Sequence, residues 1–224
     1  MESKRIYNLI ILDESGSMAS IKDVIISGLN EVLQNVRNSG NEFPDLEQFV
    51  TFISFNSAGI KNFCNRSDLT KMPVIDGSNY RPDALTPLFD AMGSSINKLK
   101  YFLQDKKDYN VLVTILTDGL ENASREFNGR QIKEMIEELK NSKWTFTYIG
   151  TDHDVDKFAE SISINNRLAY CKNEPGVASM YERESKSRMN YMRNVVENKD
   201  VSFDYFKYKR DDENERNDNG PKSK

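Results

Sequence analysis

Short, almost uninterrupted apolar runs alternate with segments of helical period along most of this chain. The runs are YNLIIL (7–12), FVTFISF (49–55), VLVTIL (111–116) and WTFTYIG (144–150). A strand with one wet face alternates apolar and polar residues. Continuous runs rich in β-branched and aromatic side chains instead belong to strands covered on both faces. WTFTYIG alternates more than the others and is expected nearer an edge. RLAYCK (167–172) is a candidate further strand.

Helical spacing fills the intervals. Ile21, Val24, Ile25, Leu29, Val32, Leu33 and Val36 mark a first helix, with Ser20 and Asp23 resembling a capping box. Leu88, Met92, Ile96, Leu99 and Leu103 mark a second, opened by Thr86-Pro87. Ile132, Met135, Ile136 and Leu139 mark a third, and Val155, Phe158, Ala159 and Ile162 a fourth. Residues 174–197 have helical composition but imperfect apolar spacing, which fits one broken helix or two short ones. Residues 57–85 are polar and punctuated by Pro and Gly, and are expected to hold a short edge strand followed by a loop. Strand and helix in alternation predict an α/β fold: a doubly wound, mostly parallel sheet with helices on both faces and one short antiparallel edge strand.

At 224 residues the chain can bury a substantial core without staples. Its 31 basic and 35 acidic residues leave a formal charge of −4, so composition gives no general pull towards nucleic acid or an anionic membrane. No run approaches the length needed to span a bilayer, and the N-terminal apolar stretch reads as a strand, not a signal peptide. Cys64 and Cys171 stand alone without metal spacing. Buried thiols in a reducing cytoplasm account for them, with a single disulfide as the alternative.

In open α/β sheets, ligands bind outside the carboxyl ends of the strands. Three polar signals fall there. Asp13, Ser15 and Ser17, in DESGS, follow the first strand; Asp118, in TDGLEN, follows VLVTIL; Thr86 follows the polar loop and opens a helix. If the first strand and VLVTIL are neighbours, all three loops converge. Two serines, a threonine and two aspartates then supply the oxygen set that a hard divalent cation requires. Each residue also has a plain structural role. Asp13 and Ser15 suit a turn, Thr86-Pro87 suits a helix N-cap, and Asp118-Gly119 is a common turn pair.

D-x-S-x-S after a first strand, a distant Thr at a helix start, and a later T-D-G-x-x-N together resemble the von Willebrand factor type A (VWA) domain and its metal-ion-dependent adhesion site. The resemblance covers roughly residues 4–195, and IGTDHDVDKFAESISI is similar to stand-alone bacterial cytoplasmic members. It implies a Rossmann-like fold and Mg²⁺ or Mn²⁺ held by Asp13, Ser15, Ser17, Thr86 and Asp118. It also implies that an acidic side chain of a protein partner completes the coordination. Glu14 and Glu121 depart from a neutral rim and are expected to tune or weaken such binding. The expected function is a metal-dependent protein-binding adaptor, not an enzyme, with no nucleic acid or membrane partner, acting as a monomer or weak homodimer.

Two catalytic readings compete. A metal-dependent hydrolase of phosphate esters, of the haloacid dehalogenase type, needs a second Asp two residues after the first, and Ser15 stands there. A serine hydrolase needs a nucleophile elbow, which DESGS does not match, and a base, for which His153 is the one histidine. Beyond the domain, residues 196–208 form an aromatic extension. Val201, Phe203 and Tyr205 alternate there as in an edge strand packed on the domain or on a second copy. Residues 209–224 are charged, lack apolar side chains and are expected to be disordered.

Overall fold

A computed structural model of the chain describes residues 4–68, 71, 73–201 and 204–207. The strands are β1 (Lys4–Asp13), β2 (Leu46–Asn56), β3 (Gly59–Asp68), β4 (Tyr109–Leu116), β5 (Trp144–Gly150) and β6 (Asn166–Ala169). The helices are α1 (Lys22–Glu42), α2 (Leu88–Leu103), α3 (Gly129–Lys140), α4 (Val155–Ser161) and α5 (Glu174–Val196). The strands form one sheet in the order β3-β2-β1-β4-β5-β6. Every pairing is parallel except β2 with β3. The doubly wound, mostly parallel sheet is therefore as expected. The antiparallel edge strand is β3, ten residues long and irregular in register around Phe52.

Continuous apolar runs mean two covered faces, and β1 divides its side chains between them. Ile6, Ile10 and Leu12 join the layer containing α1 and α5, while Tyr7, Leu9 and Ile11 join the layer containing α2, α3 and α4. At the α1–α5 contact, a Cβ on Gly28 would lie 2.0 Å from the Tyr181 ring, so only glycine permits that approach. β5 lies one strand in from the edge and is buried throughout.

Several local expectations are corrected. Residues Gly16–Ile21 form a 3₁₀ turn leading into α1, and Ser20 makes no capping bond to the helix. Thr86 is not the N-cap of α2; Pro87 holds that position without a side-chain cap. The free N–H groups of Phe89 and Asp90 instead donate to Glu121 Oε2 and Ser124 Oγ, at 2.8 and 3.0 Å. The reciprocal capping box is at α3, between Asn128 and Gln131. Residues 174–196 form one continuous helix, α5, capped by Asn173. Its apolar spacing is imperfect because Glu184, Ser187 and Arg188 occupy core-facing positions.

Cys64 is buried and Cys171 exposed, and both are free thiols. Among the described residues no helix is long and apolar enough to cross a membrane. In the C-terminal extension, Tyr205 and Phe206 sit in a turn, not a strand, and both are buried in the α1/α5 layer. Phe203 and the charged tail lie outside the described residues.

Candidate metal-binding site

β1 and β4 are hydrogen-bonded neighbours with Leu12 level with Leu116, so Asp13 and the Thr117-Asp118 pair leave the sheet side by side. Asp13 is buried, and its carboxylate is held from two directions. Oδ1 accepts from the Ser15 N–H at 2.7 Å, and Oδ2 accepts from Thr117 Oγ1 at 2.6 Å. The chain of oxygens continues from Ser15 Oγ to Ser17 Oγ at 3.1 Å. Ser17 Oγ in turn donates to Asp118 Oδ1 at 2.5 Å. Four of the five expected ligands thus form one hydrogen-bonded string.

Thr86 arrives on a loop stitched to the string. Gly16 N donates to Ala84 O, and Asp83 N donates to Glu14 O. Thr86 N donates to Asn122 Oδ1 at 2.9 Å, and Asn122 N returns a bond to Thr86 O at 3.1 Å. The Asn of T-D-G-x-x-N therefore fixes the threonine. A Cβ on Gly119 would lie 3.8 Å from Ser17 Oγ and 3.9 Å from Thr86 Oγ1, so both hydroxyls border the same small space. The fold brings all five residues to one edge.

The electrostatics are unbalanced. Burial drives the Asp13 pKa up to about 6; bonds from Thr117 and Ser15 pull it down, and the nearby Asp118 charge adds to the rise. Asp118 is also buried, and its Oδ2 accepts no hydrogen bond of regular geometry. That oxygen lies 2.6 Å from Lys172 Nζ, which also reaches Asp152 Oδ2 at 3.0 Å. The short distance identifies a close ion pair whatever its angle. Burial works against the Lys172 charge, but bonds and attraction from Asp118 and Asp152 outweigh it and raise its pKa.

Sequence reasoning missed Lys172. It places that residue at the end of the RLAYCK strand, whereas β6 stops at Ala169 and Lys172 lies in the turn before α5. Its signal is position alone: it follows a strand, at the same sheet edge as the aspartates. Thr117 was also missed, as was Tyr80, whose hydroxyl donates to Asp13 O at 2.8 Å. Glu14 and Glu121 do not form an acidic rim. Glu14 is buried and accepts from Lys61 Nζ, Arg81 N and Ser54 Oγ. Glu121 is spent on Phe89, Ala123 and Ser124. His153 has both ring nitrogens engaged locally, Nδ1 with Thr151 O at 2.6 Å and Nε2 with the Tyr148 hydroxyl at 3.0 Å.

Among the described residues no group of three or more His, Cys, Asp or Glu is gathered for a metal. The set here is different: two carboxylates and three hydroxyls. All its donors are hard oxygens, and Asp118 Oδ2 is buried without a hydrogen bond of regular geometry. Those properties fit a divalent ion of the magnesium or manganese type.

No family model and no curated protein sequence matches the chain. Solved structures do. The von Willebrand factor domain of the type V pili tip protein Mfa5 from Porphyromonas gingivalis superposes with a TM-score of 0.55 at 8% identity, over 83% of this chain and 95% of that one. The fold is that of a VWA domain. The open conformation of the pilus adhesin SpaC from Lactobacillus rhamnosus GG aligns with a TM-score of 0.57 at 12% identity, over 84% of this chain but 30% of SpaC. Plasmodium vivax TRAP, solved loaded with manganese, aligns with a TM-score of 0.50 at 12% identity, over 80% of this chain and 73% of TRAP. At these identities the likeness establishes the VWA fold and nothing finer.

Proposed function

We propose that this VWA domain is a protein-binding module whose carboxyl edge holds Mg²⁺ or Mn²⁺ and engages an Asp or Glu of a partner protein. The observation that carries the reading is the string Asp13–Ser15–Ser17–Asp118, with Thr86 bordering the same space. Those five residues would hold the ion. When bound, the ion supplies an electrophile incompletely neutralised by its protein ligands, and so an attachment point for a carboxylate. The manganese in TRAP lends weight to a divalent ion on this fold.

The surroundings suit a protein partner. Leu85 and Leu120, each adjacent to a site loop, are 55% and 52% exposed. Each offers apolar contact near the proposed anchor, as a protein partner would use. Binding without turnover is also the better match to the side chains: His153 is engaged within its own loop, and Ser15 replaces the second Asp of a phosphatase.

The test uses the immobilised full chain and a native extract. Capture of partners is expected with Mg²⁺, and is expected to be lost with EDTA and in Asp13→Ala. A folded Asp13→Ala protein that still captures the same partners in a Mg²⁺-dependent way overturns the reading.

A further inference from the structure

Lys172 is a cation built into a site whose other charged groups are carboxylates. Its side chain is 19% exposed, and its Nζ lies on the one Asp118 oxygen that no hydroxyl or N–H satisfies. Asp152, from the loop after β5, holds the ammonium from the other side. Lys172 therefore ties together the loops that follow β4, β5 and β6. It immediately precedes Asn173, whose side chain caps α5 by accepting from Gly176 N at 2.8 Å.

Resting on the metal-binding reading above, we infer that Lys172 is a resident counter-ion that competes with the divalent cation for Asp118. Without metal, its ammonium neutralises a buried carboxylate that otherwise stands uncompensated beside Asp13. With metal, two cations would face one carboxylate at close range. Their repulsion is strong in a partly buried setting. The ammonium must swing out towards Asp152 and solvent, which its four-carbon stem permits. Lys172 thereby lowers intrinsic metal affinity. It also makes loading depend on anything that draws the lysine away, including an acidic partner that pairs with the released ammonium. Ion and partner then bind with positive coupling.

The test is calorimetric titration of Mn²⁺ into the full chain, comparing wild type with Lys172→Met, Lys172→Gln and Lys172→Arg. The neutral variants are expected to bind at least about tenfold more tightly, because a like charge has gone from the ion's immediate surroundings. Lys172→Arg, which keeps the charge, is expected to stay near wild type. Thermal melts give a second readout: in EDTA the neutral variants melt below wild type, and in Mn²⁺ the gap closes or reverses. Neutral variants that are folded by circular dichroism yet bind Mn²⁺ no more tightly than wild type overturn the inference and leave the metal reading standing. Absence of Mn²⁺ binding in wild type and all three variants overturns both.

Discussion

Among the described residues, two of the groups of buried charge are built on opposite principles. The first sits midway along α5, against the sheet. Arg188 donates from Nε and Nη2 to Glu184 Oε1, at 2.9 and 2.6 Å. It also donates from Nη1 to Asn8 Oδ1 and from Nη2 to Thr114 Oγ1. Tyr205 closes the cluster by donating to the same Glu184 oxygen at 3.1 Å. One cation meets one anion and the guanidinium is ringed by acceptors, so the charges balance, although Glu184 Oε2 is itself buried without a hydrogen bond. The second group, at the carboxyl edge, sets Asp13 and Asp118 against the single Lys172, which it shares with Asp152. Its negative charge is in excess, with two buried carboxylates and the exposed Asp152 around one ammonium. A closed cluster specifies structure; an open one has electrostatic work left for a ligand.

Breaking the closed cluster is expected to have the largest effect. Arg188→Met leaves Glu184 buried and uncompensated, which typically costs about 3–5 kcal/mol. Urea unfolding at pH 7 measures it. The pair Arg188→Met with Glu184→Leu is expected to recover most of that loss, because both charges leave together. A single variant losing less than about 1 kcal/mol would mean that the cluster relaxes or admits water and is not closed.

The open site predicts the opposite sign. Asp13 has a native pKa of about 6 against a reference of 3.8, with burial as the main cause. The native state thus prefers the protonated acid. That preference contributes fully below about pH 4, is lost as pH rises through 6, and leaves the charged form at a disadvantage of about 3 kcal/mol. Asp13→Asn removes the charge, and the Thr117 hydroxyl can turn to Gly119 O, already 3.1 Å away. In EDTA at pH 7.5 the variant is expected to be more stable than wild type, by up to about 3 kcal/mol, with no gain at pH 4. An unchanged pH slope between 4 and 7 would contradict the assignment of that strain to Asp13.

Metal should reverse the ranking at the open site alone. At a free concentration of about 100 times the dissociation constant, Mg²⁺ or Mn²⁺ is expected to stabilise wild type by about 2.7 kcal/mol. Asp13→Asn and Asp118→Ala should show no such gain, whereas the Arg188→Met/Glu184→Leu protein should retain it. Melts with and without metal check all three. Equal stabilisation of wild type and Asp118→Ala would place the ion elsewhere.

The same contrast explains what was legible in the sequence. Asp13, Ser15, Ser17, Thr86 and Asp118 could be placed because each follows a strand or precedes a helix, and topology alone carries such positions to one edge. The parallel core was legible from uninterrupted runs such as VLVTIL. A helix over 174–196 was legible but not its continuity, because charged and polar groups at 184, 187 and 188 interrupt the apolar period; the three-dimensional partners Asn8, Thr114 and Tyr205 make Glu184 and Arg188 acceptable inside. Lys172 was hidden for a related reason. An isolated lysine in a turn has no sequence pattern, and its meaning comes from Asp118, 54 positions away along the chain. Thr86 read as a helix cap because Thr-Pro is a local signal, whereas Glu121 and Ser124, which satisfy that helix end, come from a distant loop.

The smallest predicted effect separates the two regions by their backbones. The closed cluster stands on α5 and two strands in regular conformation, with Tyr205 added from the turn beyond α5. The open site includes Ala84 at φ 67°, a left-handed conformation that costs a residue with a Cβ about 1 kcal/mol. Ala84 is exposed, so little packing compensates it. Its geometry is useful all the same: Ala84 O accepts the Gly16 N–H at 3.1 Å, which ties the Thr86 loop to the loop carrying Ser15 and Ser17. Strain retained beside a binding site in this way is the pattern of a pre-set loop. Ala84→Gly relieves the steric cost but gives the unfolded chain and the loop more freedom. Metal-free stability is expected to rise by about 0.5 kcal/mol, while Mn²⁺ affinity falls slightly, because Thr86 is less firmly presented. Chemical unfolding and a Mn²⁺ titration of the same sample resolve the two effects. A variant that loses stability in EDTA would show that Ala84 is held by contacts stronger than its strain, and the carboxyl edge would then count as rigid as the cluster on α5.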